Sequence, residues 1–311
     1  MRPRSKLILI SIIAFGLIAC AGSPSAPSQR SPTGVAFKVA TWNIRSGMGI
    51  RGFTTTSWSH ETGNCVDRTK AINAWAIGLP QAQLERLAAD QEIVAVAVQE
   101  AWNCASPAAI NAILGFKTAS REQEGVALLA RYGFSGAIKY QRIDGAANRW
   151  LIGGDVCINP ACARTMPMFS THFGGASEDE LPGQAGRALD FLRAERRPHL
   201  VMGDLNTFRV DQWNPSVPCT GPDAGSRTAT INLIEQAGYT DAWKSTQSGE
   251  GWTGIASRRG CGVPDGNLYK RIDYIYTIGA RVLSTARFGR AAPGADSPSD
   301  HVGLIAEIEI Q

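Results

Sequence analysis

Paired cysteine motifs are absent and histidine is scarce. The chain carries seven Cys and only four His in 311 residues, with no CxxC pair, so the spacing of a structural zinc site is missing. No repeat, second linker or long run of one charge interrupts residues 35–311. That leaves one domain, large for a single core but within reach of a compact α/β enzyme. The apolar stretch from Leu7 to Ala19 is too short for a comfortable membrane span. An excess of charge is missing too. The formal net charge of +4 owes three units to Arg2, Arg4 and Lys6. Without residues 1–19, 28 Lys and Arg face 27 Asp and Glu, a net charge of +1. A large non-specific nucleic-acid surface normally carries more than that. What is present is ordinary: 44% apolar and 19% charged residues, the composition of a soluble globular protein with a substantial core.

The N-terminus reads separately. A basic start followed by a short apolar run is a secretory signal. It ends in Leu17-Ile18-Ala19-Cys20, which resembles a bacterial lipoprotein box and implies that Cys20 is lipidated and becomes the mature N-terminus. The next stretch, AGSPSAPSQRSPTG, is a flexible tether by composition. The expected organisation is a signal peptide at 1–19, a tether at 20–34 carrying lipidated Cys20, and a folded domain at 35–311. Such a protein is exported and held on the outer face of the cell membrane, or at the outer membrane, through its lipid. Six Cys remain: 65, 104, 157, 162, 219 and 261. An even number in an exported protein suggests three disulfides, with fifteen possible pairings. Cys157 and Cys162 are the easiest to close, because Asn159-Pro160 between them favours a turn.

Strand-like runs recur at residues 37–43, 93–99, 125–131, 150–156, 166–172, 199–204, 272–277 and 303–310. Helical patterns lie between them. LPQAQLERLAADQ sets Leu84, Leu87 and Ala88 on one face; GQAGRALDFLRAERR does so with Ala188, Leu189, Phe191 and Leu192 and ends basic. TATINLIEQAG is closed by Gly238 as a C-cap. Strands and helices alternate throughout, so the class is α/β or α+β.

Several strands end alike. HLVMGDLNT leaves the apolar run of residues 199–202 through Gly203, Asp204 and Asn206. Residues i and i+2 lie on one side of a strand, so Asp204 and Asn206 are expected to face the same way. Asn43, Gln99-Glu100, His172, Asp273 and Asp300-His301 occupy comparable positions. Gathered at one sheet edge, they would form a cleft of carboxylates, carboxamides and two His. His60 and His199 lack that context and read as surface or packing residues. Hard oxygen ligands such as Glu100 and Asn43 suit Mg²⁺, Mn²⁺ or Ca²⁺. His can donate to a phosphate or move protons near neutral pH, and a carboxylate such as Asp204 can orient a water. The set suits metal-assisted phosphoester hydrolysis.

TWNIR, VQE, EGVALLAR, STHF, GDLNT, RIDYIY and SDHVGL occur in this order. In these motifs and their order the chain resembles the endonuclease/exonuclease/phosphatase superfamily over nearly the whole mature domain. The resemblance implies a four-layer α/β sandwich: two β-sheets packed face to face with helices on the outside. It implies a metal, Mg²⁺ or Mn²⁺ with Ca²⁺ as a further candidate, held chiefly by Glu100 with Asn43 and Asp300 nearby. Asp204 would position or deprotonate the attacking water and Asn206 would hold the phosphate. His301 would be oriented by Asp273 and His172 by Glu124, the two His flanking the scissile phosphate. Arg149 resembles a phosphate-contacting Arg of secreted deoxyribonucleases. Two Cys pairs also resemble those enzymes, Cys157–Cys162 and Cys219–Cys261, with Cys65–Cys104 expected as the third. The segment from Arg51 to Pro80, with Cys65, is longer than a minimal nuclease needs and is expected to cover part of the domain. DNA is the first substrate expected. A phospholipid head group or small phosphate ester, as in sphingomyelinases and phosphatases of the superfamily, comes second, and a binding-only protein third, because every expected catalytic position is kept. No protein partner is evident, and a monomer is expected.

Overall fold

The computed structural model describes residues 34–45, 78–102, 105–121, 125–144, 149–174, 179–214, 228–255, 268–290 and 298–311. In chain order the first elements are β1 (Val35–Asn43), α1 (Gly78–Ala89), β2 (Ile93–Gln99), α2 (Pro107–Leu114), β3 (Lys117–Arg121), β4 (Val126–Ala130) and β5 (Phe134–Arg142). Then come β6 (Trp150–Cys157), β7 (Thr165–His172), α3 (Glu180–Leu192), β8 (His199–Asp204), α4 (Thr228–Gln236), β9 (Thr240–Asp241) and α5 (Ala242–Thr246). The last are β10 (Gly254–Ile255), β11 (Leu268–Lys270), β12 (Asp273–Ile278), β13 (Arg281–Phe288) and β14 (Gly303–Ile310). One six-stranded sheet has the order β13-β14-β1-β2-β4-β3 and a second the order β5-β6-β7-β8-β12-β9; β10 and β11 form a short ribbon.

Period-2 alternation explains why the sheets stack. Along β1, Val39 enters a core shared with Met168, Leu200, Met202 and Ile275 of the second sheet. Its neighbours Ala40 and Trp42 point the other way, into a core with Leu84 and Leu87 of α1 and Ile110 of α2. In the second sheet Ile275 points inward while Tyr274 and Tyr276 face Leu181 and Ala185 of α3 and Ile231 of α4. The central strands are therefore apolar on both faces, as their sequences are. This is the expected helix–sheet–sheet–helix sandwich.

The long apolar strands fall where the sequence predicts, and β2, β8 and β14 agree to the residue. The strands it does not reveal lie at edges: β5 and β13 are largely exposed, with Lys139, Arg142, Arg281 and Arg287 along them, so they lack an apolar run. Helix α3 stops at Leu192, before the basic run. Arg197 lies beyond it and pairs with Glu195 and Asp155. His199, at the start of β8, is buried; Nδ1 donates to the Arg197 carbonyl (2.8 Å) and Nε2 accepts from the Tyr239 hydroxyl (2.6 Å). It is a packing residue. Cys157 and Cys162 form the expected disulfide, their Cα atoms 4.7 Å apart. The pairs Cys65–Cys104 and Cys219–Cys261, together with His60, Cys20 and the tether up to Thr33, lie outside the described residues. So does the expected covering segment, apart from residues 78–80, which begin α1.

Hydrogen bonds from Arg197 hold the Glu195 carboxyl down at about 2, against partial burial. A carboxylate with a lowered folded-state pKa stabilises above its ordinary value of 4.5 and loses that contribution as pH falls through the folded value. Arg197→Met is expected to cost roughly 1 kcal/mol at pH 7, in keeping with a half-exposed pair. Urea unfolding should show the difference from wild type shrinking between pH 4.5 and about 2.

Candidate active site

Six strand ends meet where the two sheets face each other. The parallel pair β1–β2 aligns Asn43 with Gln99, beside Glu100. Strand β14 runs antiparallel to β1, so Asp300 and His301, just before it, arrive at the same end. In the other sheet, parallel β7 and β8 set His172 beside Asp204, and antiparallel β12 sets Asp273 beside Asp204. The cluster therefore comes from two facing sheets, not one sheet edge.

Asp204 is at the centre and is 1% exposed. Its Oδ1 accepts from the Asn206 backbone N–H at 2.8 Å, closing a turn. Its Oδ2 accepts from Asn43 Nδ2 at 3.0 Å and lies 3.5 Å from His172 Nε2 and 3.7 Å from His301 Nε2. One carboxylate thus closes the turn at the strand end with one oxygen and meets Asn43 and both His with the other. Burial pushes its carboxyl up to about 7; Asp273 adds to the rise and His301 opposes it. Asn43 Nδ2 also donates to Glu100 Oε1 at 3.1 Å.

His301 is fixed at every polar atom of its backbone and at Nδ1. Its N–H donates to Ser299 Oγ (3.1 Å), which in turn donates to the Asn43 carbonyl (2.7 Å). Its carbonyl accepts from Trp42 Nε1 at 3.1 Å. Nδ1 donates to Asp273 Oδ2 at 2.8 Å, the pairing expected from the resemblance. Burial alone would lower its pKa, but Asp273, Asp204 and Asp300 around it outweigh burial and raise it well above the usual value.

His172 behaves in the opposite way. Burial, then Arg149 and His301, hold its pKa well below normal, so the ring is neutral. Arg149 Nη1 lies 3.1 Å from His172 Nδ1. A guanidinium only donates, so Nδ1 accepts and the ring proton sits on Nε2, facing Asp204. Asn206 Nδ2 lies 3.2 Å from that Nε2 and directs its two hydrogens to the Phe173 carbonyl (3.0 Å) and Asp204 Oδ2 (3.5 Å). Glu124, expected to orient His172, lies outside the described residues. Arg149, expected near the phosphate, is the neighbour on the ring's other side.

Two groups could hold a cation. Glu100, bonded by Asn43, and Asp300, paired with Arg45, offer carboxylate oxygens. Desolvation, then the charge of Asp300, raises the Glu100 carboxyl. Asp300 Oδ1 is buried with no hydrogen-bond partner, and Oδ2 is 3.3 Å from Arg45 Nε. Two half-buried carboxylates that repel each other, one with an oxygen that takes no hydrogen bond among the described residues and lies 4.0 Å from His301 Nε2, fit a hard divalent cation. The second group is Asp204, Asp273 and His301, whose ligand atoms lie within 4.8 Å of one another. There Nδ1 of His301 is committed to Asp273, and a positively charged imidazole has no lone pair for a metal. The oxygen-rich group fits better.

Four non-glycine residues among those described have left-handed backbones: Arg45, Glu100, Cys162 and Asn206. Three of the four are at the site. Such strain persists only where the surroundings impose it, and it collects at functional sites. Residue types alone did not reveal it. Ser299, Trp42 and Arg45 were likewise missed as site residues, though SDH and NIR contain or flank them.

A two-sheet α/β sandwich with buried carboxylates, a charged His and a neutral His at the seam defines the phosphoester-hydrolase class. The family model of the Endonuclease/Exonuclease/phosphatase family matches residues 40–301. The chain belongs to that family. It is similar in fold to the endonuclease/exonuclease/phosphatase from Bacteroides vulgatus, at TM-score 0.61 and 18% identity over 89% of this chain and 100% of that one. The protein of the same family name from Beutenbergia cavernae gives TM-score 0.57 and 16% identity over 88% of this chain and 72% of that one. D. rerio TDP2 complexed with single strand DNA product gives TM-score 0.53 and 14% identity over 88% of this chain and 98% of that one. No curated protein matches the sequence.

Gly203 is required by this packing. Its φ is +151°, and a Cβ there would stand 1.9 Å from the Thr171 carbonyl oxygen on β7. Gly203→Ala is expected to destabilise the fold by roughly 3 kcal/mol, as overpacking against backbone does. Thermal unfolding checks it; an unchanged midpoint would contradict the close approach of β7 and β8.

Proposed function

We propose that this chain is an extracytoplasmic, lipid-anchored endonuclease, a divalent-metal-dependent phosphodiesterase that cleaves DNA by in-line attack of an activated water. The observation that carries the hydrolytic reading is the buried Asp204 carboxylate, one oxygen of which lies 3.5 Å from His172 Nε2 and 3.7 Å from His301 Nε2. A phosphoryl group bound there has a base and two imidazole donors within reach.

In this reading Asp204 Oδ2 takes a proton from water as the water oxygen bonds to phosphorus and the bond to the leaving oxygen breaks. The charged His301 ring, steadied by Asp273, donates from Nε2 to the oxygens on which charge develops and supplies the leaving oxygen with a proton. The neutral His172 donates from its own Nε2, and Asn206 and Arg149 hold the phosphate. Glu100 would hold the metal chiefly, with Asp300 and Asn43 beside it. When bound, such a cation supplies positive charge for the transition state and lowers the pKa of water. Export through the N-terminal signal, lipidation of Cys20 and a tether to Gly34 belong to the same proposal, as do Mg²⁺ or Mn²⁺ as the metal and a monomeric state. DNA as substrate is supported by the structural relative that holds a single strand DNA product. The mature net charge of +1 favours a second reading, a sphingomyelinase-like phospholipid phosphodiesterase or small-phosphoester phosphatase.

Supercoiled plasmid and sphingomyelin vesicles, each with Mg²⁺ or Mn²⁺, separate the two. Plasmid nicking is expected, abolished by chelation and reduced by roughly 10²–10⁴-fold in His301→Ala and Asp204→Ala. Lipid cleavage without nicking would establish the second reading. Neither activity from folded protein would overturn the DNA and phospholipid readings and leave the small-phosphoester phosphatase.

A further inference from the structure

Asp273 begins β12 of one sheet and His301 precedes β14 of the other, and one residue outside both sheets holds the backbone of Asp273 and of Val302, the neighbour of His301. Thr253 lies on the segment between α5 and β10 and is fully buried. Its Oγ1 accepts from the backbone N–H of Ile272 (3.2 Å) and of Asp273 (3.1 Å). Its own N–H donates to the Lys270 carbonyl at 2.9 Å, and its carbonyl accepts from the N–H of Val302 at 2.8 Å. The next residue, Gly254, forms an antiparallel bridge with His301.

The place of the hydroxyl follows from the topology. Strand β12 has β8 along one side, from Asp273 to Ile278, but β9 covers only Tyr276 and Thr277 on the other. At Asp273 no strand among the described residues lies on that second side, and the Thr253 hydroxyl receives the two backbone donors there. Asp273 depends on this support more than most residues would. Its side chain is buried, Oδ1 has no hydrogen-bond partner, and Oδ2 has His301 Nδ1. The carboxylate is therefore aimed mainly by its backbone. The segment that carries Thr253 is itself anchored: Trp243 Nε1 donates to the Gly249 carbonyl at 2.8 Å, and Arg287 Nη1 donates to the Trp252 carbonyl at 2.8 Å.

We propose that Thr253 is a positioning residue of the active site, its hydroxyl and carbonyl setting the Asp273–His301 hydrogen bond by holding residues 272–273 and 302 in one frame. Its catalytic consequence rests on the hydrolytic reading above; its structural consequence does not. Replacing the hydroxyl by a methyl of similar size removes the acceptor and leaves two buried N–H groups unpaired, while Ser keeps the acceptor.

The test compares Thr253→Val, Thr253→Ser and wild type as full chains. The proton on His301 Nδ1 is observed by NMR, amide exchange is followed at Ile272, Asp273 and Val302, and turnover of bis(4-nitrophenyl) phosphate is measured with Mn²⁺. In Thr253→Val the Nδ1 proton signal should broaden or vanish and the three amides should exchange faster. Its kcat should fall about 10²-fold, the scale of a 1 Å misplacement, with KM within about twofold. Thr253→Ser should restore the signal and kcat. A folded Thr253→Val that keeps the signal and wild-type kcat would reduce Thr253 to a packing residue. Should Val prevent folding, Ser decides: loss of the signal in a folded Ser variant overturns the proposal, and its retention supports it. Wild-type protein inactive on any phosphoester would overturn the hydrolytic reading alone, because the NMR comparison stands without turnover.

Discussion

The Asn43 side chain spans the gap between the two sheets, and the site is built around that span. Its one Nδ2 group donates to Glu100 in its own sheet and to Asp204 in the facing one, while its Oδ1 accepts from the Arg45 N–H at 3.0 Å. Buried polar groups must be paired, and here the pairing can be completed only if the sheets sit at one separation and in one register. Just below, Thr41 Oγ1 donates to Gln99 Oε1, and Gln99 Nε2 donates to Ser170 Oγ of the other sheet. A wholly apolar core tolerates sliding; this seam does not. The same dry seam keeps Asp204 reluctant to ionise and His172 neutral, while Asp273, Asp204 and Asp300 keep His301 charged against it. Structure and reactivity therefore share one cause, the crowding of polar groups into a buried cluster that the strand ends are obliged to form.

The two histidines show how neighbours divide labour between like groups. His301 lies among three carboxylates and keeps its proton. His172 lies between Arg149 and the carboxylate of Asp204, and the guanidinium, by occupying Nδ1, leaves the single ring proton on Nε2. Both rings thus present an N–H toward the same carboxylate oxygen. That arrangement suits an anionic guest better than a neutral one.

Much of this was legible in the sequence because burial on both faces forces apolar runs, and the polar residues that interrupt them stand out. Asn43, Glu100, His172, Asp204, Asp273 and His301 all follow an apolar strand or begin one, and the structure brings them together. The Asp273–His301 pairing and the Cys157–Cys162 disulfide were also expected, through resemblance and a turn-forming Asn-Pro. What escaped were features set by three-dimensional neighbours. Edge strands β5 and β13 lack an apolar run because one flank meets water. The left-handed backbones of Arg45, Glu100 and Asn206 leave no mark in residue type. Thr253 looks like any threonine in GWTGI, because its function depends on what β9 fails to cover.

The claim on which the account turns is that a divalent cation belongs beside Glu100 and Asp300, leaving Asp273 and His301 free as a hydrogen-bonded pair. Mn²⁺ binding to the purified protein, followed by electron paramagnetic resonance in wild type, Glu100→Gln and Asp273→Asn, tests it directly. The account predicts one bound ion in wild type, retained in Asp273→Asn and lost or at least tenfold weaker in Glu100→Gln. Binding lost in Asp273→Asn and kept in Glu100→Gln would place the ion among Asp204, Asp273 and His301, and would contradict the division of the site into metal ligands and a catalytic pair.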